Sequence, residues 1–239
     1  MTISTVSVVN NIAYPAQSSR TRSAEAAGYM AARATRDGTL FTAPWSQALV
    51  LEGRGYHFDV GSFSTPIVGG GAGTVLDLDQ PEAVLSIPAG TSIIPLRIAV
   101  QCQPPLSVTD NDEIEILVAL DRTAAAVNDG TKTAETIFNL RTDNPSSSLC
   151  TATSAYTADV TDPTLGIELA RKVSVADIQG TAATVVTREF SLTYPEAGQV
   201  APVIVGPAAL YIYWGGTVAT SGFAQIEWAE FDTSDDITA

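Results

Sequence analysis

The sequence predicts an all-β protein, an antiparallel double-sheet sandwich with an extended N-terminal arm. Three observations carry that expectation. Beyond residue 55 the chain breaks into short β-type runs separated by turn residues. Inside those runs apolar and polar side chains alternate with the two-residue period of a strand that has one face in a core. No body segment of about ten residues keeps a 3.6-residue period, which disfavours crossover helices and the parallel sheets they connect. A chain of 239 residues fits one such unit, because sandwiches commonly exceed 200 residues. The expected division is an arm over 1–55 and a sandwich over 56–239.

The arm is rich in Ala, Ser, Thr and Arg. Residues 23–36 hold good helix formers, but Gly28 and the lack of large aliphatics make an independent helix marginal. An extended or partly helical segment that becomes ordered against a neighbouring subunit is expected. Its candidate contact residues are Arg20, Arg22, Arg33, Arg36 and Trp45.

In the body, strands are predicted at 56–63, 74–78, 83–87, 93–101, 113–120, 135–140, 149–156, 167–175, 185–194, 208–214 and 223–231. These are more than one sheet comfortably holds. Gly69 to Gly73, Pro88-Ala89-Gly90, Pro104-Pro105, Asn128-Asp129-Gly130, Asn144-Pro145, Asp162-Pro163 and Gly215-Gly216 supply the breaks, each with turn-forming chemistry. Glu113 to Val118 and Phe223 to Trp228 show the alternation most plainly, and Trp228 falls in phase with Ile226 and Ala224 as a core residue.

Composition limits the function. Hydrophobic residues make up 45% of the chain and charged ones 16%, enough for a substantial core and little charge to solvate its outside. The formal charge is −14; residues 1–55 carry five arginines against three acids, so the excess of acid lies wholly in the body. Such a body repels phosphate backbones, and no direct nucleic-acid binding is expected. Nor is a secretion signal or a membrane span expected, since the start lacks a cationic region followed by an apolar run. Cys102 and Cys150 fall in predicted strands and read as two buried thiols rather than a disulfide framework.

Catalytic chemistry finds little support. The single histidine, His57, builds neither a His-based metal site nor a triad and reads as structural or surface. Carboxylates are abundant, and glycoside hydrolysis needs two of them about 5 to 10 Å apart, but abundance is a weak signal. Asp110 and Asp112, in the acidic loop 109–113, offer oxygens to a structural cation without the EF-hand pattern; a solvated turn is the favoured reading, and no cofactor is expected. The run Gly69 to Gly73 fits no nucleotide-binding fingerprint and reads as a flexible inter-strand loop.

The segment from Asp79 to Ile98, with Ile87-Pro88-Ala89-Gly90-Thr91 at its turn, resembles a strand, turn and strand of phage virion proteins. Leu210 to Thr217 and Gly222 to Phe231 are similar to the terminal hairpin of such jelly rolls. Together these segments cover roughly a sixth of the chain, and they are patterns rather than diagnostic motifs. The resemblance implies an eight-stranded jelly-roll sandwich of capsid-decorating or minor capsid type, located in the virion. It implies partners that are copies of the chain, in a closed oligomer such as a trimer, and other capsid proteins. It transfers no catalytic residues.

The alternative is a carbohydrate- or receptor-binding module of a phage fibre or spike, with Tyr156, Tyr194 or Tyr213 stacking on sugar. A two-carboxylate glycosidase ranks third. A cellular C1q- or TNF-like trimer is a fourth reading.

Overall fold

The computed structural model describes residues 44–70, 76–103, 112–122, 131–143, 146–157, 163–176, 190–216 and 220–232. Among these residues one short helix, α1 (Trp45–Leu51), leads into thirteen strands: β1 (Gly55–Val60), β2 (Ile67–Val68), β3 (Ala83–Ile87), β4 (Thr91–Gln103), β5 (Asp112–Asp121), β6 (Thr133–Glu135), β7 (Phe138–Asn139), β8 (Thr151–Ser154), β9 (Leu165–Ala176), β10 (Phe190–Tyr194), β11 (Ile204–Val205), β12 (Ala208–Gly216) and β13 (Ser221–Asp232).

The strands form two sheets. The first runs β10-β4-β13-β1-β7, with β11 also on β4 and β2 on β13; the second runs β6-β8-β3-β12-β5-β9. Every pairing is antiparallel. The chain is therefore an all-β double-sheet sandwich. Eight long strands nest about the chain's midpoint: β1 pairs with β13, β3 with β12, β4 with β10 and β5 with β9.

Alternation builds the core. On β13, Ala224, Ile226 and Trp228 point inward, while Phe223, Gln225 and Glu227 lie on the other face. Facing them from the second sheet are Ile114, Ile116, Val118, Leu210, Ile212 and Trp214. Trp228 sits about 6 Å from the rings of both Tyr56 and Phe58. Pro95 lies inside β4, where it has no N–H to give, and the ladder shifts there so that Leu96 is bulged between Arg97 and Pro95.

The second sheet is covered on its outer side as well. Val84, Leu117, Ala119, Ala209, Tyr211 and Tyr213 form a second buried cluster with Leu76 and Tyr156, and the Tyr213 hydroxyl donates to the Leu78 carbonyl at 3.2 Å.

Several boundaries differ from expectation. The predicted strand 74–78 is not one over its described part: Leu76 is buried against Tyr213, and a turn follows in which the Gln80 N–H donates to the Asp77 carbonyl. The predicted strand 135–140 divides into β6 and β7, one in each sheet, so a single segment edges both. Helix α1 lies at the end of the predicted arm and is joined to the body. Gly53 (φ 74°) closes it, with the Arg54 N–H on the Leu49 carbonyl and the Gly53 N–H on the Val50 carbonyl, the Schellman pattern. Arg141 and Asn139 then donate to the Leu51 and Gly53 carbonyls.

Candidate functional site

Buried acids are the natural place to look for chemistry, and Glu82, at 3% exposure, is one of three with Asp121 and Glu230. It stands just before β3, whose first residue, Ala83, pairs with Ile212. Past that point β12 continues without β3 beside it, so the Trp214 N–H needs another acceptor. Oε2 of Glu82 accepts it at 2.8 Å, and Oε1 accepts the Gly70 N–H at 2.6 Å. The backbone of Glu82 is used too, its N–H on the Ile212 carbonyl and its carbonyl under the Ala155 N–H. One side chain thus replaces a missing length of strand and holds the 67–70 segment against β12.

Burial pushes the Glu82 carboxyl up from 4.5 to about 8, with Asp77 adding to the rise and the backbone donors opposing it. The Cys102 thiol and the Tyr213 phenol are pushed up as well, first by burial and then by neighbouring groups that include Glu82.

Gly69 and Gly70 are parts of this junction rather than a loose loop. A Cβ on Gly69 would lie 2.1 Å from the Trp214 carbonyl oxygen, and one on Gly70 would lie 2.8 Å from Gln80 Cβ. The expectation of a flexible loop is corrected for these two residues; 71–73 lie outside the described residues. The signal was present in the sequence, since glycine is used where two backbones approach closely.

Two further carboxylates do similar work. Glu230 accepts from the Ser148 hydroxyl at 2.5 Å and the Leu149 N–H at 2.9 Å, fixing the segment before β8 to the end of β13. Asp121 accepts the Thr164 N–H at 3.0 Å, at the entry to β9. These acids bind the chain's own backbone.

Two shallow clefts open on the surface. One of about 280 Å³ is bordered by Glu135, Ile137, Ser148, Cys150 and Thr153, and one of about 170 Å³ by Glu52, Arg54, Tyr56 and Ser146. Each has one carboxylate among its described lining residues, not the facing pair that sugar hydrolysis requires.

The described residues among those singled out from sequence lie on separate elements. Trp45 opens α1 and is 58% exposed; Arg20, Arg22, Arg33 and Arg36 lie outside the described residues. Asp110 lies outside them as well. Asp112 begins β5, opposite Ala176, with its side chain not described.

His57 is half-buried on β1, with the Phe138 ring at 5.5 Å and an Asp59 oxygen at 3.9 Å. Cys102 and Cys150 are both buried and free. Tyr156, Tyr194 and Tyr213 are all buried, which removes them as sugar-stacking platforms. Among the described residues no group of three or more His, Cys, Asp or Glu is placed to hold a metal ion, and no helix is long and apolar enough to cross a membrane. No known protein family, curated protein or solved structure matches the chain.

Proposed function

We propose that this chain is a structural component of a virus particle, of capsid-decorating or minor capsid type, acting through contacts with copies of itself and with other shell proteins. The observation that carries the reading is the nested strand pairing, first with last through to fourth with fifth. Such nesting supports a jelly-roll reading, and that architecture recurs in capsid and lectin domains. Fold alone does not establish function, so the use made of polar groups matters. Glu82, Glu230 and Asp121 are engaged with backbone amides. This arrangement suits a body whose work is done by its outer surface.

The test is to raise antibody against the sandwich and label particles purified from cells that carry the encoding genome. Regular labelling of intact particles is the expected result. Particles free of the chain, by labelling and by mass spectrometry, would end the reading.

A further inference from the structure

Two copies of a chain with net charge −14 repel each other unless they meet where charge is locally balanced. The outer side of the second sheet is already covered by the chain's own Leu76 and Tyr156. Its edge strand β9 carries Glu168, Arg171 and Lys172, charges of the kind that discourage edge-to-edge pairing.

The outer face of the first sheet is different. In one row of the ladder, His57 on β1, Glu227 on β13 and Arg97 on β4 lie side by side; in the next, Asp59, Gln225 and Ala99 do. Arg97 is joined to Glu227 at 3.4 Å and to Gln225 at 2.5 Å. Its side chain is nonetheless 47% exposed, and that of Asp59 is 53% exposed. The face therefore holds both signs of charge within a strongly acidic molecule. The cation and the freest anion sit on the two strands that flank β13, one on each side.

We infer that the outer face of the first sheet is a self-association surface, on which a second copy of this chain docks about a two-fold axis running along β13. Turning one copy over about that axis places β4 of each above β1 of the other. The exposed guanidinium of Arg97 then comes within reach of the partner's copy of Asp59, twice per interface, because an isologous contact uses the same patch on both sides. Strands about 4.8 Å apart, rising about 3.3 Å per residue, give a four-strand face on the order of 600 Å². That is close to the roughly 800 Å² each partner contributes to a standard interface. The contact builds pairs, not the trimer expected from the family resemblance. It rests on the reading of the chain as a self-associating structural protein.

Charge exchange tests it on the full chain. Sedimentation equilibrium is run on wild type, Asp59→Arg, Arg97→Glu and the double variant D59R/R97E, with far-UV circular dichroism and melting temperature measured for each. Wild type is expected to dimerise. Each single reversal is expected to raise the dissociation constant at least about tenfold, and the double variant to return to within about threefold of wild type. Rescue is diagnostic because within one chain Arg97 is bonded to Gln225 and Glu227, whereas Asp59 neighbours His57. Association that ignores both single reversals, or that is lost in both and not recovered in the double variant, overturns this face and leaves the structural reading standing. A wild-type chain that stays monomeric at all concentrations overturns both.

Discussion

At the scale of single residues, Glu82 shows how a polar side chain earns a place in an apolar interior. One oxygen accepts the Trp214 N–H that β3 would have served had it started two residues earlier, and the other accepts the Gly70 N–H. Because burial raises the carboxyl to about 8 from 4.5, the folded chain holds the proton more tightly than the unfolded chain does. Its contribution to stability is complete below about pH 4.5 and is lost as pH rises through about 8. Melting temperatures recorded from pH 4 to 9 are expected to fall across that window. Glu82→Gln should flatten the slope while lowering stability by about 1–3 kcal/mol, since an amide nitrogen would then meet a backbone N–H. Gly69→Ala should cost on the order of 1–3 kcal/mol in urea unfolding, because its Cβ would press on the Trp214 carbonyl, which a rotamer change cannot move. The role of Glu82 was not legible in the sequence. A glutamate after Pro81 and before an apolar run reads as turn, and its role depends on Trp214, far away in sequence.

At the scale of elements, strands with clear alternation were readable. The expected 83–87 is β3, and 93–101, 113–120 and 223–231 lie wholly inside β4, β5 and β13. Two-residue strands such as β2 and β11 leave no periodic trace, since pairing with Gly222 and Ser221, or with Ile93 and Ser92, is what defines them. Helix α1 is marked in the sequence by Pro44 before it and Gly53 after it, a pairing found at helix ends, but its seven residues are too few to show a helical period. Trp228, placed in the core by its phase on β13, is fully buried beside Tyr56 and Phe58. Trp228→Ala should therefore cost about 3–5 kcal/mol, read as a shift of the urea midpoint at unchanged slope.

At the scale of the molecule, the two thiols report on how tightly the layers close. Cys102 and Cys150 are buried in one core, and burial pushes both thiols well above their ordinary range. A charged thiol reagent is expected to label neither in native buffer and both in denaturant; prompt labelling of the native chain would show an opening between the sheets. β13 joins β4 to β1 in the first sheet. A chain stopped after Thr220 should accordingly show no cooperative unfolding transition by circular dichroism.

The nesting of the strands also sets a timetable. Of the described strands β1 is synthesised first, yet its long-strand partner β13 is synthesised last. A nascent chain thus carries half-made sheets, with apolar faces and open edges, for most of its synthesis. Yield in a recombinant host should then depend on chaperone supply and translation rate more than on the strength of the finished core.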